Sequence, residues 1–361
     1  MNRTAQISAA LQADNVDCVL LSSAPMMGYA HGFFEDGHER LLLLAIRSNG
    51  DVALIAPALS ANQARRHGIE DVRPWSDGED CFGLFRKLAE DWELRTAVIA
   101  IDPQMRADIL LQLQHCVPSA MFQTADRWIA PLMAKKDANE IQRLKAAAKL
   151  VEEVYADLLP TLAPGETERE LAGRIQAMVL AKGAGLNFCI TATGAASAEP
   201  HHLPDDTVIK NGDVVLMDFG CVLDHYQADI TRVVSIGPAS PKVQEVYSAV
   251  RDAHNASVNA IHPGATGCEV DNAGRDIIVA RGFGPNFNHR TGHGIGIRGH
   301  EAPNMSSDNL APLEPGNTFS IEPGVYLEGE FGIRLENIYA CGETEAIAIN
   351  ESQFEDKILE L

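Results

Sequence analysis

The chain has 361 residues, 46% of them hydrophobic and 22% charged, which is ordinary for a globular protein of one or two domains. Its 50 acidic and 29 basic residues give a formal net charge of −21 at pH 7, which argues against nucleic acid or an anionic membrane as a partner, because phosphate binding needs basic patches. The seven cysteines are scattered without a C-x-x-C pair, and neither a signal peptide nor a run long enough to span a membrane is evident, so we expect a cytoplasmic protein without disulfides.

Residues 1–130 alternate strand-like and helix-like segments, which predicts an α/β domain. Strands are predicted within 17–23 and 96–102, and a helix over 105–116. The segment 41–57 reads as two strands, because Asn49-Gly50 at its centre is a strong hairpin-turn signal. No catalytic motif stands out in this part of the chain.

A long amphipathic helix is predicted over residues 135–162. Asp137 followed three residues later by Glu140 has the pattern of a capping box at its start. The change from short alternating strands and helices to one long helix predicts a domain boundary just before this helix. The boundary separates residues 1–130 from a second domain over 131–361.

The second domain contains an internal repeat. The segment PGETERELAGRIQAMVLAKG starts at residue 164 and PGATGCEVDNAGRDIIVARG at residue 263, and each has the capping-box pattern. Further on, NGDVVLMDFG at 211–220 aligns with PGNTFSIEPG at 315–324. The chemically reactive positions that correspond between the halves are His201 and His300, Asp218 and Glu322, and Asp229 and Glu336. Two related halves predict a domain with pseudo-twofold symmetry and one site near its axis.

The acids of the first half lie on two segments, 216–220 and 227–232, that we expect to form a hairpin turning near Leu223-Asp224. In that pairing Asp218 lies directly opposite Asp229, about 4.5–5.5 Å away on one face. Two bare carboxylates at that spacing repel, and burying them without a counter-charge is costly.

The second half of the repeat contributes two more acids, Glu322 and Glu336. Four clustered carboxylates need cations inside a fold, and two divalent ions would nearly neutralise them, so the acids predict a dinuclear metal site. Oxygen-rich ligation favours Mn²⁺, with Co²⁺, Fe²⁺ and Zn²⁺ as alternatives. His293, in the glycine-rich segment HRTGHGIG, is the expected nitrogen ligand.

Four segments together resemble the signature segments of the pita-bread metallopeptidases, which include methionine aminopeptidases, aminopeptidase P and prolidase (Xaa-Pro dipeptidase). They are LMDFGCVLDHYQADITR (216–232), HRTGHGIGIRGHEAP (289–303), FSIEPGVY (319–326) and GIRLEN (332–337). The resemblance covers about residues 135–361 and implies an α+β pita-bread catalytic domain. The extra N-terminal domain implies the proline-specific branch, in which that domain has a ribonuclease-H-like fold, and GFFEDGHERLLLLAI (32–46) is similar to a segment of bacterial Xaa-Pro dipeptidases.

The resemblance implies a role for each matching position. The implied metal ligands are Asp218 on one ion, His293 and Glu322 on the other, and Asp229 and Glu336 bridging both. A water activated by two metal ions would attack the scissile amide, with Glu322 as its base. His300 resembles the histidine that contacts the tetrahedral intermediate, and His201 the one that assists at the substrate amide, with His202 as the adjacent alternative.

The residues that we expect to bind substrate are His289, Arg334, Tyr226, Arg298, His38 and Arg40. Each has an alternative: His289 is structural, Arg334 supports Glu336 rather than a substrate carboxylate, and Tyr226 packs beneath the site rather than bonding a metal ligand. Arg298 either binds a carboxylate or excludes some residue types. In the dipeptidase branch the loop of His38 and Arg40 reaches the partner's active site in a homodimer; otherwise it is a solvated loop. His225 stands where the family usually has glycine.

The sequence therefore predicts a homodimeric metallopeptidase that hydrolyses Xaa-Pro bonds in dipeptides and other short proline-containing peptides. One alternative is an aminopeptidase P that acts on longer Xaa-Pro-led peptides. A second is a creatinase-like hydrolase or a lyase on the same scaffold, and a third is a binding module without catalysis. The complete set of ligand positions argues against the creatinase-like enzyme and against the binding module.

Overall fold

The computed structural model describes residues 2–361. The chain divides into two compact units, of which the first ends at Met133 and the second comprises Ala134–Leu361. Over the described residues, the helices are all too short or too polar to serve as a membrane span.

The first unit is built on a six-stranded mixed sheet, counted over its described residues, in the order β4-β3-β2-β1-β5-β6. Its strands are β1 (Cys18–Leu21), β2 (Leu43–Arg47), β3 (Val52–Pro57), β4 (Asp71–Trp75), β5 (Val98–Ile101) and β6 (Met121–Thr124). Its helices are α1 (Arg3–Ala13), α2 (Ala24–His31), α3 (Ala58–Arg66), α4 (Cys81–Asp91), α5 (Ala107–Cys116) and α6 (Asp126–Ala134). The strands predicted at 17–23, 41–57 and 96–102 and the helix predicted at 105–116 are confirmed, as is the antiparallel hairpin around Asn49-Gly50.

The second unit has two larger sheets that carry the predicted site, and both are antiparallel except for one short edge strand that pairs in parallel. Its strands are β7 (Gly185–Thr193), β8 (Val214–Leu223), β9 (Tyr226–Ser235), β10 (Gly292–Gly294), β11 (Glu301–Met305), β12 (Thr318–Ile321), β13 (Gly324–Leu327), β14 (Phe331–Arg334), β15 (Asn337–Cys341), β16 (Ala346–Ala348) and β17 (Leu359–Glu360). Its helices are α7 (Ala138–Leu158), α8 (Glu168–Ala181), α9 (Pro241–Asn259) and α10 (Gly267–Ala280). The sheet orders are β17-β9-β8-β7 and β11-β10-β12-β15-β16, and β13 pairs with β14.

The internal repeat is visible in the structure. Helices α8 and α10 each have 14 residues, and Thr167 and Thr266 close the predicted capping boxes at their starts. After α8 the chain forms β7, β8 and β9 of one sheet, and after α10 it forms β10, β12 and β15 of the other. This arrangement is the pita-bread fold, in which two related halves present their strands to one site.

Helix α7 is shorter than the predicted span of 135–162. The capping box of Asp137 and Glu140 is confirmed, so the helix begins at Ala138. At the other end a 3₁₀ turn over Leu159–Thr161 replaces the last predicted turn. The physical reason is Pro160, which has no backbone N–H to continue the α-helical ladder.

The predicted register of the β8–β9 hairpin is wrong by two residues. Asp218 pairs with Thr231, and Asp229 pairs with Gly220. The turn consists of Asp224 and His225, with φ of 47° and 70°, and so lies one residue later than expected. These left-handed values match the mirror-image turns that hairpins favour, and they explain why glycine suits the position of His225.

A two-residue register shift leaves side chains on the same face, because strand side chains alternate with a period of two. Asp218 and Asp229 therefore remain on one face as diagonal neighbours, whose separation is typically about 7 Å rather than 5 Å. This wider spacing leaves room for cations between the two carboxylates.

Candidate metal centre

The five predicted metal ligands line a single cavity of about 780 Å³ in the second unit. They come from separate elements: Asp218 from β8, Asp229 from β9, His293 from β10, Glu322 from just after β12, and Glu336 from between β14 and β15. The other residues that line the cavity are Phe188, Ile190, Pro200, His201, Asn288, His289, Arg290, His300 and Arg334. Asp218 and Glu336, which are 118 positions apart in the sequence, thus line the same cavity.

The carboxylates of this cavity have oxygens that protein groups do not satisfy. Asp218 Oδ1, Asp229 Oδ1 and Glu336 Oε1 are buried and have no hydrogen-bond partner among the described residues. Unpaired buried acceptors of this kind are rare in proteins unless they serve a function. The donor set therefore fits divalent cations, and ligand atoms of Asp229, His293 and Glu336 lie within 4.8 Å of one another.

The charges of the cavity are strongly unbalanced. Four carboxylates and two guanidinium groups, those of Arg290 and Arg334, line it, which leaves two negative charges if all are ionised. Burial raises the pKa of Asp229 well above its usual value, and the charges of Glu336 and Asp218 raise it further. Burial likewise raises the pKa of Glu336 and brings that of Glu322 to about 7. Without cations, these acids hold protons that a free carboxylic acid would have lost.

His293 is held so that one ring nitrogen faces the acids. Its Nδ1 lies 3.1 Å from the carbonyl oxygen of Gly294, and its Nε2 lies 3.4 Å from Glu322 Oε1 and 3.7 Å from Asp229 Oδ2. An Nδ1–H donated to the carbonyl leaves Nε2 with a lone pair directed at the cavity, which is the usual arrangement for a metal-binding histidine. Burial lowers the pKa of His293 to about 3, so the ring is neutral.

A glycine beside His293 is required for this placement. A Cβ added to Gly292 would overlap the backbone carbonyl of Ser320 on β12. The close approach of β10 and β12 also lets the Ser320 hydroxyl accept from the backbone N–H of His293 at 3.1 Å and donate to Glu322 Oε1 at 3.1 Å.

Arg334 joins several residues of the cavity by hydrogen bonds. One terminal nitrogen donates to Asp218 Oδ2 at 2.5 Å, the other to the Tyr326 hydroxyl at 2.7 Å, and Nε to Thr231 Oγ1 at 3.1 Å. The Thr231 hydroxyl in turn donates to Glu336 Oε2 at 2.7 Å. Arg334 is thus fully engaged in holding two of the acids, directly and through Thr231.

Tyr326 was not singled out in the sequence. Burial raises its pKa to about 12, so its hydroxyl stays protonated and donates to His289 Nε2 at 2.8 Å. His289 donates from Nδ1 to the carbonyl of Arg290 at 2.7 Å, and burial lowers its pKa to about 4. The signal available for Tyr326 was its place in FSIEPGVY, four residues after the predicted ligand Glu322.

The two predicted catalytic histidines also reach the cavity. His201 and His300 line it, and the ring of His300 lies 3.9 Å from that of His293, measured between centroids. Burial lowers the pKa of His300, and the charge of Arg290 lowers it further. Arg290, which the sequence analysis did not select, places its NH2 3.4 Å from His300 Nδ1.

His202 lies beside His201 but makes different contacts. Its Nε2 is 2.7 Å from Glu168 Oε2, and the other oxygen of Glu168 accepts from the backbone N–H of Thr193 at 2.7 Å. Glu168, His202 and Asp205 form a second group close enough to chelate an ion. Because Glu168 already has protein partners on both oxygens, we assign this group a structural role that fixes the loop of His201.

Four residues that we expected to bind substrate are not among those that line the cavity. Tyr226 donates its hydroxyl to Glu140 Oε1 of α7 at 2.9 Å, and Arg298 lies on the loop before His300, where its backbone N–H bonds Glu301 at 3.3 Å. His38 and Arg40 belong to the first unit. The side chain of His38 is 76% exposed, and Arg40 donates to Asp77 at 3.0–3.1 Å.

Comparisons with known proteins identify the relatives of this chain. Over 358 residues the chain is 32% identical to the putative dipeptidase YkvY of Bacillus subtilis, covering 97% of this chain and 98% of that protein. The structure of the present chain matches that of a dipeptidase from Pyrococcus horikoshii, with a TM-score of 0.95 and 30% identity, covering 99% of this chain and 100% of the other. It also matches the structure of a prolidase from Thermococcus sibiricus, with a TM-score of 0.95 and 32% identity, covering 99% of this chain and 98% of the other.

Two family models together cover most of the chain. The creatinase/prolidase N-terminal domain matches residues 3–132, and metallopeptidase family M24 matches residues 142–343. Membership in a metallopeptidase family implies divalent metal ions, which the unpaired acids of the cavity are suited to hold. The chain is therefore a metallopeptidase of family M24, with a creatinase/prolidase-type N-terminal domain.

Proposed function

We propose that this protein is a prolidase-like dipeptidase that uses two divalent metal ions to hydrolyse Xaa-Pro bonds in dipeptides and short peptides. The observation that carries the proposal is the convergence of Asp218, Asp229, His293, Glu322 and Glu336 on one cavity, with buried carboxylate oxygens left unpaired. The relatives named dipeptidase and prolidase support the substrate class.

The metal ions would be held by these five side chains. When bound, two divalent ions supply an activated water and polarise the scissile carbonyl. Oxygen-dominated ligation with one imidazole favours Mn²⁺, with Co²⁺, Fe²⁺ and Zn²⁺ as alternatives. Asp229 and Glu336, whose ligand atoms lie within 4.8 Å of each other, are the residues that would be shared between the two ions.

Glu322 is the proposed general base. In the metal-free protein burial raises the pKa of Glu322 to about 7, and bound cations would lower it, so that the carboxylate is ionised and able to accept a proton near neutral pH. Its Oε1 lies 3.4 Å from His293 Nε2 and accepts a hydrogen bond from Ser320, so its position is fixed. Glu322 would take the proton of the attacking water and deliver it to the departing amine.

His300 and His201 are the proposed contacts to the reacting amide. Because Arg290 donates towards His300 Nδ1, the ring proton of neutral His300 resides on Nε2, from which it can donate to a developing oxyanion. His201 also lines the cavity, on the loop that the Glu168–His202 contact fixes.

The apolar wall of the cavity suits a proline ring. Phe188 and Ile190 of β7 and Pro200 line it, next to the neutral His289. A pyrrolidine ring buried there loses its contact with water without leaving a polar group unpaired, because the imide nitrogen of an Xaa-Pro bond carries no hydrogen.

The proposal extends to the state of the protein in the cell. We propose a cytoplasmic homodimer in which the loop of His38 and Arg40 contacts the partner's site. The exposure of His38 is compatible with such a contact. Light scattering would give the oligomeric state, and a monomer at micromolar concentration would contradict this part of the proposal.

Metal content and turnover test the function directly. We expect about two divalent ions per purified chain and a large loss in Asp229→Asn, which keeps the shape of the side chain but removes a charged ligand. We expect hydrolysis of Ala-Pro and Gly-Pro by the parent. Cleavage confined to tripeptides and longer peptides would instead indicate an aminopeptidase, and inactivity with metal fully bound would indicate another reaction on this scaffold.

A further inference from the structure

A buried ion pair holds the residue that follows His300. Lys136, near the start of the second unit, donates from Nζ to Glu301 Oε1, and the two side chains are only 1% and 5% exposed. Glu301 comes directly after His300 and is the first residue of β11. Neither Lys136 nor Glu301 is among the residues that line the metal cavity, so the mechanism described above does not use the pair.

Stability alone does not account for two charges at this place. Taking a lysine and a glutamate out of water costs about as much as their attraction returns, and apolar side chains of similar volume are often at least as stabilising. What a buried pair adds is a fixed position, because either charge is costly to leave without its partner. The neighbouring pair of Lys135 and Glu314 is different, since its side chains are 55% and 63% exposed and free to separate in water.

The carboxylate of Glu301 closes a turn around His300. Its Oε2 accepts from the backbone N–H of Arg298 at 3.3 Å, while Lys136 fixes its other oxygen. The carbonyl of Arg298 accepts from the backbone N–H of Gly296 at 3.0 Å, which tightens the same loop. His300 therefore lies between two residues that one clamped carboxylate holds together.

The loop before His300 is packed against the ion pair without spare room. A Cβ added to Gly296 would lie 2.6 Å from Glu301 Oε1 and 2.7 Å from Lys136 Cε, closer than real Cβ contacts. Gln227 of β9 holds the same loop through its backbone N–H, which donates to the Gly296 carbonyl at 2.8 Å, and through Nε2, which donates to the Ile297 carbonyl at 3.0 Å. The path of the loop is thus set by contacts on β9 and β11.

The position of this loop matters because His300 reaches the metal cavity from it. The ring of His300 lies 3.9 Å from that of His293, measured between centroids, and lines the cavity. A donor to a developing oxyanion works only within hydrogen-bond distance, and a displacement of about 1 Å can lower a rate about 100-fold.

We propose that Lys136 and Glu301 are positioning residues, which hold His300 where its ring can donate to the scissile carbonyl. The inference rests on the proposed function. Neither side chain contacts the substrate, and neither is a metal ligand. Loss of the pair should therefore lower kcat and leave the KM and the bound metal nearly unchanged, since the ligand set and the apolar wall of the cavity are untouched.

The test is the double variant Lys136→Met/Glu301→Leu, which removes both charges and leaves neither one buried alone. We expect its kcat for Ala-Pro to fall about 10- to 100-fold, with the KM within about threefold of the parent and two metal ions retained. Lys136→Met and Glu301→Gln each leave one buried charge unpaired, so they should also unfold at lower temperature, whereas the double variant should not. A double variant with the parental kcat would show that the pair only fills space and would overturn the inference.

The matched control is Lys135→Met, which removes the exposed pair with Glu314 at the adjacent position. We expect this variant to keep the kcat and KM of the parent. If its kcat falls as far as that of the double variant, any change in this segment disturbs the site, and the specific role of Lys136 and Glu301 is wrong.

Hydrogen exchange separates this inference from the proposed function, because it needs no turnover. Peptides that span residues 295–305 should exchange faster in the double variant, while the rest of the second unit keeps the parental rates. Faster exchange in a protein that cleaves no Xaa-Pro peptide supports the anchoring of the loop and contradicts the proposed function alone. Unchanged exchange overturns the inference and leaves Xaa-Pro hydrolysis intact.

Discussion

The guanidinium of Arg334 donates to Asp218 Oδ2 at 2.5 Å, and both side chains are buried. Because Tyr326 and Thr231 accept from the remaining nitrogens, the cation is fixed in one orientation. It is the buried counter-charge closest to Asp218. Its contribution to the stability of the folded protein should therefore be largest when the metal ions are removed.

Replacing Arg334 should therefore destabilise the metal-free protein. In Arg334→Met the carboxylate of Asp218 stays buried without its partner, a change that typically costs about 3–5 kcal/mol. Urea unfolding of the chelator-treated protein measures the free energy. Arg334→Lys, which keeps the charge but loses the planar fork, should lose less, and an Arg334→Met variant as stable as the parent would contradict the role assigned to this pair.

Metal removal should make stability depend on pH in a defined direction. Burial raises the pKa of Glu322 from 4.5 to about 7. Between these values the folded protein retains a proton that the unfolded chain has released, so the free energy of unfolding falls as pH rises. The loss from Glu322 alone is about 3 kcal/mol, and the raised pKa values of Asp229 and Glu336 add to it in the same direction.

This dependence is measured by urea unfolding with chelator from pH 5 to pH 8. Excess Mn²⁺ should restore stability most strongly at pH 8, since the ions replace the bound protons as counter-charges. Chelated protein that is equally stable at both ends of this range would show that the acids do not carry the expected repulsion.

The contact between His202 and Glu168 should also depend on pH. Partial burial opposes protonation of His202, but the hydrogen bond and charge of Glu168 outweigh it and raise the pKa of His202. The stabilisation is complete below the ordinary histidine pKa of 6.5 and is lost as pH rises through the raised value.

His202→Gln should accordingly be destabilised by about 1.5–3 kcal/mol at pH 6, with a smaller difference from the parent at pH 9. Denaturant unfolding of both proteins at the two pH values checks this. A difference that is the same at pH 6 and pH 9 would mean that the contact is a neutral hydrogen bond.

Gly292 should be intolerant of a side chain. In Gly292→Ala the added Cβ meets the carbonyl of Ser320, so β10 must move away from β12 and carry His293 with it. We expect a loss of bound metal and a destabilisation of roughly 3 kcal/mol or more, in the range of severe backbone clashes.

The matched control is Gly173, which lies on the exposed side of α8 with open space around it. Gly173→Ala should stabilise the protein by about 0.5–1 kcal/mol, because alanine loses less conformational freedom in a helix. Metal analysis and thermal unfolding of the two variants give the comparison. Parent-like metal content in Gly292→Ala would contradict the packing argument.

Much of the architecture could be predicted because its determinants are local. The capping boxes at Asp137, Thr167 and Thr266 and the Asn49-Gly50 turn act within a few residues, so the sequence displays them directly. The two wrong predictions, the end of α7 and the register of the β8–β9 hairpin, also had local causes. The end of α7 depended on Pro160, and the β8–β9 register on which two residues adopt left-handed φ.

The cluster of acids could also be predicted, though for a different reason. A buried charge is costly unless a counter-charge lies beside it. Several acids on apolar strands therefore indicate bound cations, whatever the detailed geometry. That argument identified the residues that line the cavity but could not say how their oxygens are satisfied. Tyr226 and Tyr326 illustrate this, since sequence analysis chose the first, whereas the second bonds His289 and Arg334.

The sequence by itself thus determined the fold class, the repeat and the set of acids, because periodicity, capping and net charge are properties of the chain. Only the tertiary structure decided that Asp218 lies diagonal to Asp229 and that all three nitrogens of the Arg334 guanidinium are engaged. The reason is that a hydrogen bond forms over about 3 Å, whereas the residues concerned come from strands far apart in the chain. Which donor reaches which acceptor is set by how those strands pack, and no local preference encodes it.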